Sequence, residues 1–147
     1  MVGKGFTVFT MNADGSGVKQ ITQHEDEIGA VAPEWSPDGK QILYADQVGE
    51  FLEVFKCDAD GQNIQQLTRL NKISSSAAWS LDGKFITFRI TDFAYWRNIQ
   101  TRDKAYEEKS GDKRPVYIML ADGSDIQIIE PLHYQCGIDG SHKFRKH

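Results

Sequence analysis

Trp35-Ser36-Pro37-Asp38-Gly39-Lys40 returns 44 positions later as Trp79-Ser80-Leu81-Asp82-Gly83-Lys84. Between residues 35–42 and 79–86, six of eight positions are identical. A shorter phrase, Ala13-Asp14-Gly15, recurs as Ala59-Asp60-Gly61 and as Ala121-Asp122-Gly123. Self-similarity at such a period marks one supersecondary unit copied along the chain. The phrase is turn chemistry. Pro37 suits the first central position of a tight turn, Asp38 tolerates the second, and Gly39 supplies a positive φ.

Working outward, residues 32–35 lead into the first turn and residues 40–44 return from it as a strand. Residues 52–57 alternate as a third strand, the turn at 58–61 follows, and residues 63–68 make a fourth. The second copy repeats this path over 75–79, 84–90, 115–120 and 125–129. Hairpins with turn chemistry at regular intervals imply an all-β protein. Four short antiparallel strands in about 40 residues is the size of a propeller blade. The ends read as complementary partial copies. Residues 6–22 match strands C and D of a blade, and residues 134–147 are a worn copy of strands A and B. The expected organisation is one module over 1–147: a half blade at 6–22, blades at 30–68 and 75–130, and a half blade at 134–147. These are three blade equivalents, and a homodimer is expected to complete them to six.

Composition narrows the class. At 147 residues one domain is expected, and 39% hydrophobic with 26% charged residues fits a globular core. A formal charge of −4 gives no broad basic field for nucleic acid or anionic lipid. The seven residues 141–147 are basic but short. No apolar run is long enough to span a bilayer. Lys4 interrupts the N-terminal region before it reaches signal-peptide length, which points to the cytoplasm or a trimmed chain. Two cysteines, Cys57 and Cys136, permit one disulfide and do not suggest a disulfide scaffold.

These phrases resemble the WD-like repeats of TolB-type β-propellers, whose signature is a Trp-Ser-Pro-Asp-Gly-Lys turn and a later Asp-Gly turn before a strand ending in Leu-Thr. Residues 35–40, Asp60-Gly61 and Leu67-Thr68 match in full. Asp14-Gly15 with Ile21-Thr22 matches closely, as does the second copy with Leu81 in place of proline. Asp122-Gly123 with Ile129-Glu130 and residues 137–140 match loosely. The resemblance implies a propeller with blades of this kind and a periplasmic setting. Such repeats serve in protein-docking propellers, in the non-catalytic domains of prolyl peptidases and in some sugar-acid lyases, so fold alone does not choose the function. The TolB ring is six-bladed and preceded by another domain, features this sequence does not show.

The tryptophans at 35 and 79 are expected as apolar wedges between blades. The turn carboxylates Asp14, Asp38, Asp60, Asp82 and Asp122 are explained by turn chemistry, with calcium as the alternative. His133, Cys136 and His142, with His147, form a soft-ligand cluster, of which only the first pair has tight zinc-ligand spacing. No metal or other cofactor is assigned. No Gly-x-Ser-x-Gly elbow, phosphate loop or dinucleotide fingerprint occurs, so no catalytic residue is named. Cys57, on a strand, is expected to be an inert packed thiol.

The informative irregularity is the connection between strands B and C. Gly39 to Val54 spans 15 positions and Gly83 to Val116 spans 33, an excess of 18. The inserted segment at 92–113 carries Tyr95, Trp96, Arg97 and Arg102, residue types that dominate interface hot spots. Repeat proteins place insertions on loops, often on the binding face. The alternative is a loop that buries its own aromatics. The D–A connection with His24, Glu25, Asp26 and Glu27 belongs to the same end of a propeller. The expected function is a binding scaffold for a protein or peptide. The alternatives are a sugar-acid lyase-like enzyme, drawing on His24, His133 and His142, or a structural propeller fragment.

Overall fold

The computed structural model describes residues 5–24, 28–91 and 115–129. Every regular element among them is a β-strand. In chain order these are β1 (Phe9–Thr10), β2 (Lys19–Gln20), β3 (Val31–Trp35), β4 (Gln41–Val48), β5 (Phe51–Asp58), β6 (Gln65–Gln66), β7 (Ile73–Trp79), β8 (Phe85–Thr91), β9 (Val116–Leu120) and β10 (Gln127–Ile129). Strands β3 to β6 form one antiparallel blade and β7 to β10 a second. The blades join through one parallel bridge, Leu52 to Ile73. Strands β1 and β2 pair as half a blade, and a parallel bridge from Phe6 to Gly29 links them to the next unit in the same way.

The turns form as their residues dictate. In each Trp-Ser turn the serine hydroxyl donates to the aspartate, Ser36 to Asp38 and Ser80 to Asp82, both at 2.7 Å. The same hydroxyl accepts the amide that starts the return strand, from Gln41 and from Phe85, both at 2.9 Å. One serine therefore closes both sides of the turn. In the Asp-Gly turns Asp14, Asp60 and Asp122 accept the amide two residues on. The left-handed position two residues after the glycine holds Gly17, Asn63 and Asp125, types that tolerate positive φ.

The outermost strands are shorter than their sequence suggests. Residues 63–68 read as a strand, yet only Gln65–Gln66 pair. The cause is Thr68, whose hydroxyl accepts the Val54 amide at 2.8 Å while the Leu67 and Thr68 amides both turn to the Val54 carbonyl. A side chain replaces the ladder. Thr22 does the same to Val8, 46 positions earlier, with its hydroxyl 2.9 Å from the Val8 amide. The threonine of the Leu-Thr phrase is thus a strand terminator.

Burial follows the stacking of blades. One core cluster, between the two blades, contains Leu43, Val54, Leu67, Ala77, Ile86, Phe88 and Met119, with Trp79 packed against it. A second, between the half blade and the first blade, contains Val8, Ile21, Ala30, Ile42, Tyr44 and Cys57. Strand β4 is therefore buried on both faces through residues 42–46, while β8 alternates buried with more exposed positions. Aromatic pairs repeat as well: Tyr44 stacks on Phe55 at 5.9 Å between centroids, and Phe88 on Tyr117 at 5.5 Å. The expectation that both tryptophans act as wedges holds only for Trp79. Trp35 is 48% exposed. Trp79 lies beside the Ser36–Gln41 turn of the preceding blade, and the half blade at 6–22 has no such turn to lay against Trp35.

Candidate functional site

Strands in an antiparallel blade place the B–C and D–A connections at one end, opposite the Trp-Ser turns. The bases of these connections are tied down by buried polar chemistry. Asp46, near the end of β4, has its Oδ2 3.4 Å from His24 Nε2, and the His24 side chain is only 13% exposed. The neighbouring Gln47 accepts the Ile28 amide at 2.7 Å and donates to the Gly49 carbonyl at 2.8 Å. A D–A connection is thereby clamped to a two-residue B–C hairpin.

The next D–A connection is held by Glu53, a side chain 2% exposed on β5. Its Oε1 accepts the amides of Leu70 and Asn71 at 2.8 and 2.7 Å, and its Oε2 accepts the Thr68 hydroxyl at 2.5 Å. Three donors occupy both oxygens of this buried carboxylate, so its role is to order the loop. Asn71 takes a left-handed conformation with φ of 52° as part of that wrap. Sequence reasoning passed over Glu53, because a charge on an alternating strand reads as solvent-facing. The signal was present in the position: Glu53 lies next to Val54, the residue whose amide Thr68 caps.

The register locates the insertion. Ala45 pairs with Val54, nine positions on, whereas Arg89 pairs with Val116, 27 positions on. The second blade thus carries 18 additional residues in the connection that the first closes with Gly49 and Glu50. Tyr95, Trp96, Arg97 and Arg102, and likewise Glu25, Asp26 and Glu27, lie outside the described residues, as do His133, Cys136 and His142. Of the expected contact residues, His24 is the one the structure describes, with its Nε2 3.4 Å from Asp46 Oδ2 and making no hydrogen bond among the described residues.

The opposite end carries a shallow cleft of about 370 Å³ between the two Trp-Ser turns, lined by Ser36, Asp38, Gln41, Trp79, Leu81 and Asp82. Its two carboxylates already serve their own turns. The serine hydroxyl beside each, then the amide of Lys40 or Lys84, holds Asp38 and Asp82 below the usual carboxylate range. Asp14 and Asp122 are lowered by Ser16 and Ser124 in the same way. Among the described residues no three His, Cys, Asp or Glu side chains converge as a metal site would require. Burial pushes the Cys57 thiol up, and the charges of Asp58 and Asp60 add to it. A thiol so placed is a poor nucleophile.

No family model matches the chain. It is 32% identical over 81 residues to dipeptidyl-peptidase 5 of Porphyromonas endodontalis, covering 55% of this chain and 11% of that protein. It is 38% identical over 55 residues to the protein TolB homolog of Chlorobium chlorochromatii, covering 37% of this chain and 12% of the relative. The chain thus spans about a tenth of the length of each. Among solved structures it resembles a putative TolB from Agrobacterium tumefaciens, with a TM-score of 0.65 and 18% identity over 84% of this chain and 40% of that one. It also resembles TolB from Acinetobacter baumannii, with a TM-score of 0.62 and 17% identity over 83% of this chain and 26% of that one. The fold is that of TolB-type β-propellers, built from antiparallel blades.

Proposed function

We propose that this chain is a non-catalytic binding scaffold of TolB-like propeller type, which recognises a protein or peptide through the end that carries the B–C and D–A connections. The observation that carries the reading is the contrast between the blades. One B–C connection is a two-residue hairpin whose flanking Gln47 clamps the loop beside it. Its counterpart has 18 more residues on the same scaffold, among them Tyr95, Trp96, Arg97 and Arg102. A long aromatic-basic segment joining the paired strands β8 and β9 suits recognition, since loops on a fixed scaffold commonly carry binding. The acidic Glu25, Asp26 and Glu27 of the D–A connection belong to the same end and give the surface both signs of charge. Nucleic acid is not the expected ligand at a net charge of −4. Among the described residues no helix is long and apolar enough to cross a membrane. The periplasm is the compartment the TolB likeness favours.

Panning a displayed peptide library against the 147-residue protein tests this reading. Enriched peptides should bind the wild type and lose at least tenfold in affinity on a variant lacking residues 92–113 that still melts cooperatively. Peptides that bind both forms equally, or a failure of any to enrich, would contradict it.

The same reading includes the arrangement of the whole chain. The segments at 6–22, 30–68, 75–130 and 134–147 make three blade equivalents, and two chains head to tail make a six-bladed ring. Residues 134–147 of one copy would supply strands A and B to the C and D strands at 6–22 of the other. Closure of this kind removes free sheet edges, and closed propellers commonly have four to eight blades.

A further inference from the structure

Two of the three Asp-Gly turns, at Gly61 and Gly123, have a mate in the unit before them. A Cβ placed on Gly61 would lie 3.2 Å from the Ile21 carbonyl oxygen, and one placed on Gly123 would lie 2.9 Å from the Leu67 carbonyl oxygen. Ile21 and Leu67 occupy the same position, immediately before the terminating threonine of strand D. The joint between units is therefore one contact used twice: a glycine without a side chain receives the backbone of the preceding strand D. Beside the second copy of it, Lys56 donates to the Ala121 carbonyl at 2.8 Å across the same boundary.

One turn and one strand end remain. Gly15 has the same conformation as its counterparts, with φ of 84° against 82° and 88°, yet a Cβ there would meet nothing within 4 Å. Ile129, the counterpart of Ile21 and Leu67, is 40% exposed. On the Gly15 side Phe9 is 55% and Met11 69% exposed, while Cys57, which matches Met11 in the first blade, is 1% exposed. On the Ile129 side the ladder row runs through Val116 to the exposed Arg89, and the exposed Phe85 and Leu120 pair at the opposite end of β9.

We propose that the Gly15 turn of one copy docks on the Ile129 strand end of a second copy, repeating the Gly61–Ile21 and Gly123–Leu67 joints between molecules. The occupant is a second copy because the 147 residues hold both halves of a contact whose fit the molecule demonstrates twice. Phe9 and Met11 on the Gly15 side and Ile129 on the other are exposed apolar side chains that such a joint would cover. The joint is head to tail, and two of them close a ring only if the rotation per blade sums to a full turn. The inference rests on the two-chain reading above and assigns it a specific contact.

The internal joint supplies the test. A Cβ on Gly123 would lie 3.3 Å from the Leu67 Cβ, close to the roughly 3.5–4.5 Å that a disulfide spans. In a Cys136→Ser background, the pair Gly15→Cys with Ile129→Cys should form a disulfide between chains on mild oxidation. A non-reducing gel would show a species of twice the 16.6 kDa chain, lost on reduction. The pair Gly49→Cys with Ile129→Cys is the control, since Gly49 is also open but sits in the B–C hairpin. Light scattering of the wild type at about 10–50 μM should give the mass of two chains. A single-chain mass throughout would overturn both the joint and the ring. A two-chain mass with no crosslink at 15 and 129, or with equal crosslinking in the control, would overturn the joint and leave the two-chain reading standing.

Discussion

At the scale of single residues, the polar chemistry of this chain is used to end strands and fix loops. Thr68 accepts the Val54 amide and donates to Glu53. Thr68→Val keeps the shape and leaves a buried amide and a buried carboxylate each short of a partner, so it should cost about 2–3 kcal/mol in denaturant unfolding. Glu53→Ala strands three donors and should cost about 3 kcal/mol or more, with Glu53→Gln milder because one acceptor oxygen survives. Cys57 should resist thiol reagents in the native Cys136→Ser variant and react only on unfolding, because burial raises its pKa. The turn carboxylates Asp14, Asp38, Asp82 and Asp122 are all lowered from 3.8 by the hydroxyl and amide donors beside them. Their contribution to stability is complete above that value and is lost as pH falls through their lower folded values. The melting temperature should therefore drop as pH is taken below about 4. Replacing the four by Asn should flatten that drop.

At the scale of elements, the turns were legible and the joints between them were not. Trp-Ser-x-Asp-Gly-Lys carries its own geometry, since Ser36 and Ser80 satisfy the turn within six residues. Asp-Gly turns declare themselves likewise, but their glycines at 61 and 123 also answer to a backbone some forty residues or more earlier, which local pattern cannot reveal. The bulges of β3 and β7 were equally hidden. They place Ala32 and Ser76 at φ of 52°, residues that carry no turn signal, and only their 44-residue separation marks them as one feature. Gly123→Ala tests the joint, because it adds to the cost of a positive φ a Cβ 2.9 Å from the Leu67 carbonyl. It should destabilise by about 2–4 kcal/mol. Gly49→Ala, with similar φ and open space, should cost only about 1 kcal/mol. Equal costs would remove the steric role assigned to the joint. Shortening residues 92–113 to the length of the first blade's connection should leave cooperative unfolding intact, since β8 and β9 pair without it.

At the scale of the whole molecule, the repeat period made the all-β propeller architecture legible before any strand was placed, because two copies of a turn fix the size of a blade. Burial was less legible. Trp35 and Trp79 occupy equivalent positions, and their different exposure arises from what lies in front of each: a complete blade before Trp79 and half of one before Trp35. A repeat protein is stabilised chiefly through contacts between neighbouring units, so a unit without a neighbour leaves apolar surface bare. In the proposed two-chain ring a second copy covers this surface, pairing Gly15 with Ile129 and burying Phe9 and Met11. The 92–113 segment would then appear twice around one ring, giving two equivalent loop sets at the same end. Small-angle X-ray scattering of the wild-type protein, with mass determined on the same sample, tests this most directly. The account predicts the mass of two chains and the profile of a compact six-bladed disc. The mass of one chain with the profile of an open three-blade arc would contradict it.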